Sequence, residues 1–181
     1  MQRLQQLDEI EQAVWVELDR APRDRDHAWR VGVLATTDGQ SAQARSVVLR
    51  DVDKARRKLL FYADSRSPKV QQLQAHPAGA LVLWSPALSW QLRLKVQLGV
   101  ESAGLAVSSR WAALKMSPGA QDYLSPLPPG SPIGAPLPER GSREFFSVIT
   151  AHIESLDWLE LHPEGHRRAV FDDQGRRWVT P

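Results

Sequence analysis

Tyr62-Ala63-Asp64-Ser65-Arg66-Ser67-Pro68-Lys69 is the stretch on which the reading of this chain turns. It follows the apolar run Lys58 to Tyr62, which has the character of a buried strand, and precedes Val70-Gln71-Gln72-Leu73, which opens a helix. Two cations and two hydroxyls therefore gather at a strand-to-helix turn. The first N–H groups of a helix lack intrahelical partners and carry partial positive charge, so Ser67 as cap with Arg66 and Lys69 alongside makes a cradle suited to a phosphate. Taken alone, the octet also describes a capped surface helix with two solvated basic residues.

Working outward, Trp29 to Thr36 and Ala44 to Val52 are β-like and joined through Asp38-Gly39, a hairpin signal. Lys58 to Ala63 gives a third strand, Lys69 to Ala75 a short helix, Gly79 to Trp84 a fourth strand and Trp90 to Glu101 a fifth. In the fifth, Leu92, Leu94, Val96, Leu98 and Val100 alternate with Arg93, Lys95, Gln97 and Gly99, which puts one face in a core and the other toward solvent or a ligand. Leu4, Leu7, Ile10, Val14 and Leu18 recur at helical spacing, predicting an amphipathic helix over 3–20, ended by Ala21-Pro22 and packed on the sheet. Residues 105–116 read as helix, with a further turn at 119–124. From Ser125 to Pro138 the prolines at 126, 128, 129, 132, 136 and 138 forbid regular structure, leaving either a mobile surface loop or a rigid lid beside a ligand.

Phe145 to Thr150, Ile153 to Leu161 and His166 to Phe171 read as strands, and Asp173-Gln174-Gly175 as a turn into Arg176-Arg177-Trp178-Val179. Seven or so strands with two or three helices and no βαβ alternation predict one mainly β domain over 1–181: an antiparallel barrel with an N-terminal helix within 1–22 and other appended helices. The 181 residues suffice for one substantial core, and a net charge of +2 does not by itself argue for nucleic acid. Without cysteine there is no disulfide, thiolate nucleophile or Cys-ligated metal. His152, His162 and His166 fall on separate strand positions without a carboxylate partner, so no metal site is expected. With no apolar run of membrane-spanning length and no apolar signal core at the N-terminus, a cytoplasmic location is expected and a membrane partner is not.

Arg45-Ser46-Val47-Val48-Leu49-Arg50, Phe61-Tyr62, Ser67 with Lys69, His76-Pro77 and Gln91-Leu92-Arg93 follow one another in this order. Together they resemble the FMN-binding split barrel of the pyridoxamine 5′-phosphate oxidase family, over about His27 to Trp178. The resemblance implies a homodimer holding FMN noncovalently at the subunit interface. It puts Arg45, Val47, Val48, Tyr62, Ser67, Lys69 and Gln91 at flavin-binding positions, with Arg50 grouped with them and also standing where the oxidases carry a substrate-binding Lys. Pro68 occupies the place of a family Arg, so Arg66 is a candidate replacement cation. Arg168 matches a late-strand Arg that reaches the flavin across the subunit boundary. Trp158 has the family spacing from it, although the local pattern Ile153-Glu154 aligns the family Trp with Leu156 instead.

By the same resemblance, Trp111 with Lys115, together with His166, falls in the substrate pocket. Glu164 stands where the oxidases carry an Arg; its carboxylate would repel a substrate phosphate, and Trp111 lacks a hydroxyl donor. The implied activity is FMN-dependent oxidoreduction of an unassigned small molecule rather than pyridoxamine phosphate oxidation. A flavin-storage module without turnover is one alternative. A single-stranded nucleic-acid-binding barrel, suggested by seven Trp residues, is the other.

Overall fold

The alternation in Trp90–Glu101 forms a single 12-residue strand whose Leu92, Leu94, Val96 and Leu98 are buried and whose Arg93, Lys95 and Gln97 are exposed. Around it the computed structural model, which describes residues 3–134, 141 and 144–181, places the remaining elements. They are α1 (Leu7–Arg20), β1 (Val31–Thr37), β2 (Ala42–Asp53), β3 (Lys58–Asp64), α2 (Pro68–Ala75), β4 (Ala78–Ser85), β5 (Trp90–Glu101), α3 (Leu105–Leu114), β6 (Phe146–Glu160), β7 (Arg167–Asp172) and β8 (Gly175–Val179). Short 3₁₀ turns lie at Ala28–Arg30 and Pro118–Tyr123. No helix among the described residues is long and apolar enough to cross a membrane.

The strands lie in the order β3-β2-β1-β4-β5-β6-β7-β8, and β3 pairs again with β6. Six strands thus close into a barrel with antiparallel pairing throughout, while β7 and β8 extend the sheet beyond β6. Closure removes the edges of the barrel strands. The expected hairpin forms between β1 and β2: Asp38 accepts the N–H groups of Gln40 and Ser41 at 2.9 and 2.7 Å, and Gly39 takes φ +89°.

Two expectations change. The strands predicted at Phe145–Thr150 and Ile153–Leu161 are one, because Ala151 and His152 between them pair with Leu98 and Gln97; the irregularity comes after, where Val96 faces Ile153 and Lys95 faces Ser155, leaving Glu154 as an extra bulged residue. A bulge bends a strand, which suits β6, whose first part pairs with β3 and whose last part pairs with β7. Trp29 lies in a 3₁₀ turn rather than a strand, since His27 Nδ1 accepts its N–H at 3.1 Å and its fully buried ring packs into the core. Residues 125–134 have no regular structure; the predicted loop residues Pro136 and Pro138 lie outside the described residues.

The main core combines inward residues of the barrel, among them Leu34, Leu49, Phe61, Leu81, Leu92 and Ile149, with Ile10, Val14, Trp15 and Leu18 of α1. Each such large side chain contributes roughly 1.5–3 kcal/mol on full burial. A second cluster lies on the outer faces of β3 and β6, where Leu60, Val107, Tyr123, Phe146 and Val148 are joined by Tyr62, Trp111 and Leu114. It fastens α3 and the Pro118–Tyr123 turn to the barrel.

Candidate functional site

The N-terminus of α2 collects positive charge. Ser67 is its cap residue and is 3% exposed, yet its hydroxyl oxygen is buried without a hydrogen-bond partner. Arg45 of β2 donates through Nη1 to Thr36 Oγ1 at 2.6 Å and through Nη2 to Gln72 Oε1 at 3.3 Å. Thr36 in turn donates to Gln72 at 2.9 Å, so β1, β2 and α2 together fix the guanidinium. The Lys69 side chain makes no hydrogen bond or ion pair with a described residue. Burial first, then the charge of Arg45, hold its ammonium below the usual lysine range, against the pull of Asp64. Two uncompensated cations beside an orphaned hydroxyl and a helix N-terminus are the donor set a dianionic phosphate requires.

Arg66 does not belong to this cradle. Its Nη2 bonds Asp64 Oδ2 at 2.7 Å and its Nε bonds Oδ1 at 3.1 Å, while the carbonyls of Ser125, Pro126 and Leu127 accept from it at 2.8, 3.2 and 3.3 Å. Its guanidinium carbon lies 3.3 Å from the Phe145 ring centre. The replacement cation expected here is instead a tether that neutralises the buried Asp64 and pins the start of the proline-rich segment. Trp158 needs a second correction: it is 0% exposed, wedged edge-on between Trp90 at 5.4 Å and Trp178 at 6.4 Å, and so is a core residue. Val47 likewise points into the barrel core, leaving only its backbone to the outer face.

The outer face of β4, β5 and β6 carries the other expected residues. Gln91 is half-buried and stands between Trp84 and Leu159. Arg168 of β7 chelates Asp157 with bonds of 2.9 and 2.7 Å, and Arg93 contacts the same carboxylate. Burial pushes Asp157 up, but hydrogen bonds from Arg168 and Arg93 outweigh it and hold the carboxyl below its usual range. Beside them, Val31, Val33 and Trp84 are 50, 44 and 42% exposed. Register sets Val31 against Val48 and Val33 against Val82, making an apolar stripe across β2, β1 and β4. An exposed patch of this kind marks a contact surface.

Arg50 and Tyr62 lie together, the guanidinium 5.5 Å from the ring centre, and Tyr62 meets Phe146 at 4.8 Å. Trp111 packs on Phe146 at 5.4 Å, whereas Lys115 ends α3 in solvent. His166 is exposed in the turn after β6, its Nδ1 accepting from His162 N at 3.1 Å. Trp111 touches one end of β6 and His166 follows the other, so the length of that strand lies between them. One chain does not assemble these three into a pocket. Among the described residues no group of His, Asp and Glu could hold a metal ion.

Sequence reading missed Thr36, Gln72, Asp64 and Asp157. Asp64, in the opening octet, is the one with a local signal: a carboxylate two residues from the cation it binds.

An antiparallel barrel of six strands with its charge cradle at a strand-to-helix turn defines a split-barrel protein. Solved structures share the fold: an FMN-binding protein from Nostoc punctiforme, described as pyridoxamine 5′-phosphate oxidase-related, has a TM-score of 0.75 at 24% identity, covering 94% of this chain and 96% of that one. PhzG from Burkholderia lata, solved with tetrahydrophenazine-1-carboxylic acid, has a TM-score of 0.73 at 14% identity, covering 96% and 92%. The family profile of the pyridoxamine 5′-phosphate oxidase FMN-binding domain matches residues 11–101, and the chain belongs to that family. A pyridoxine/pyridoxamine 5′-phosphate oxidase from Granulibacter bethesdensis is 27% identical over 186 positions, 91% of this chain and 84% of that protein.

Proposed function

We propose that this chain binds FMN and, as a homodimer with the cofactor at the subunit interface, catalyses oxidoreduction of a small molecule. The observation that carries the reading is the cradle at α2, where Arg45 and Lys69 concentrate charge that no described carboxylate neutralises around the orphaned Ser67 hydroxyl. These residues fit the phosphate of FMN. Bound FMN supplies hydride transfer between small-molecule donors and acceptors.

Arg45, Ser67 and Lys69 would hold the phosphate, while Val48, Gln91 and Arg168 would orient the ring from outward-facing positions. A second copy of the chain would cover Val31, Val33 and Trp84, exclude water from the ring and bring one protomer's Arg168 to its partner's cradle. The separation of Trp111 from His166 within one chain supports a pocket built from two. Glu164 is exposed and offers no cation to a substrate phosphate, which weighs against pyridoxamine phosphate as the substrate.

Steady-state assays of the FMN-loaded protein with NAD(P)H and oxygen separate this reading from flavin storage. Acceptor-dependent oxidation of the reduced nucleotide is expected. Flavin bound without any turnover would favour storage, and formation of pyridoxal phosphate at about 1 per second or faster would show that the substrate has been misassigned.

A further inference from the structure

On the outward face that carries Gln91 and Arg168, Asp157 is a half-buried carboxylate among neutral and cationic neighbours. Register sets Gln91 and Arg168 on either side of Leu159, so the two lie on one row across β5, β6 and β7, about 10 Å apart at two strand spacings. Asp157 stands two positions earlier in β6, facing Arg93 of β5. Its carboxylate accepts from both Nε and Nη2 of Arg168, at 2.9 and 2.7 Å, and contacts Arg93 as well. No described residue accepts from Nη1 of Arg168, so one terminal nitrogen of that fork is left for a ligand. The side chains of Arg93, Arg168 and Asp157 are 48, 28 and 15% exposed, which makes Arg93 the member that solvent screens most.

We propose that Asp157 is a positioning residue for the flavin: it fixes the Arg168 guanidinium and balances its charge, so that the ring meets one terminal nitrogen of a neutralised pair, and the reduction potential of the bound cofactor is held low. This rests on the cofactor reading above, in which Arg168 orients the ring, and names what controls that contact. Reduction adds electrons to the ring, and charge beside its nitrogens tunes that step. An unpaired guanidinium there would favour the reduced form over the oxidised one, more strongly where water is excluded. Arg168, Asp157 and Arg93 together carry one net positive charge, and Arg93, the most solvated of the three, holds it farthest from the low-dielectric side. Two parallel hydrogen bonds also set the plane and direction of the fork, which a single contact does not. Gln91, on the same row, is uncharged and leaves this balance unaltered.

The midpoint potential of the FMN-loaded protein, read by equilibration with a reference dye, tests this together with calorimetric titration of oxidised FMN. Asp157→Asn keeps the shape and one accepting oxygen but removes the charge. The preference for reduced over oxidised FMN should then rise at least about tenfold, an upward shift of about 30 mV for a two-electron couple. In the Arg168→Gln background the same change should alter that preference less than about threefold, because the cation then left unpaired is the solvent-screened Arg93. Asp157→Glu keeps the charge but displaces the carboxylate; it should hold the potential and weaken oxidised FMN about tenfold. An ion pair that merely ties the strands together would lower the affinities for both forms of FMN equally and leave the potential where it was, and that result overturns the inference. So does a fall in potential, or a full-sized shift in the absence of Arg168. Should Asp157→Asn not fold, the Glu variant decides, and unchanged affinity for oxidised FMN there overturns the positioning role. Unaltered protein that takes up no FMN defeats the cofactor reading and this inference with it. FMN uptake with a potential indifferent to Asp157→Asn defeats this inference alone.

Discussion

Lys69→Met should strengthen the flavin-free fold and weaken FMN at the same time. Burial and the neighbouring Arg45 depress the ammonium pKa below its ordinary 10.5, so the folded state disfavours the charged form. The unfolded chain therefore binds more protons between the folded value and 10.5, and stability rises with pH across that window. Below both values the destabilisation is at its full extent, and a neutral side chain of similar length removes it. The same charge is what the phosphate gains from. A charge-assisted hydrogen bond contributes about 1.5–3 kcal/mol. Because Lys69 is already half-buried in the free protein, part of the desolvation cost is met before binding. The FMN dissociation constant should rise roughly 10- to 150-fold, while that of riboflavin, which lacks the phosphate, should change less than about threefold. Calorimetry with both flavins, paired with thermal unfolding of the flavin-free protein across pH 7 to 10, measures each quantity. Equal losses for the two flavins, or a flavin-free variant less stable than its parent, would refute the reasoning.

Further outcomes follow from the same geometry. Arg66→Ala should cost roughly 3 kcal/mol by leaving the buried Asp64 without its countercharge, yet change FMN affinity of the folded protein less than about threefold; urea unfolding and flavin titration read the two effects. Val33→Asp places a charge in the apolar stripe and should give a monomer that has lost most of its flavin affinity, as seen by light scattering; an intact flavin-loaded dimer would relocate the interface. Asp157 is held below its usual range by Arg168 and Arg93, and Glu160 by Arg167 and Arg3. Their stabilisation is complete above the ordinary carboxylate values and is lost as pH falls through the lowered ones, so Asp157→Asn should destabilise the protein at pH 6 far more than at pH 2 to 3. An equal effect at both would remove the ion pairs from the account.

Much of the barrel is legible in side-chain period alone. β5 alternates without interruption and its limits in the structure are those its sequence predicts, and Asp38-Gly39 gives the β1–β2 turn. What local pattern does not carry is long-range pairing. Glu154 reads as an ordinary residue of a strand because nothing near it reveals that β5 lacks an opposing residue there. That Arg50 is the extra residue of a bulge in β2 is not legible locally, since a bulge depends on the register of β3. Arg66 resembles a phosphate ligand until the carbonyls of residues 125–127, some sixty positions away, are seen to occupy it. Trp158 is the miss that the sequence could have prevented: it shares the parity of Leu156 in β6, and that parity faces the core.

Sedimentation velocity of the dialysed protein with stoichiometric FMN, recorded in the flavin absorbance band, tests the central claim most directly. The account predicts that the flavin sediments entirely with a dimer, at one FMN per chain. Flavin left at the speed of free cofactor, or carried at full loading by a stable monomer, would contradict it.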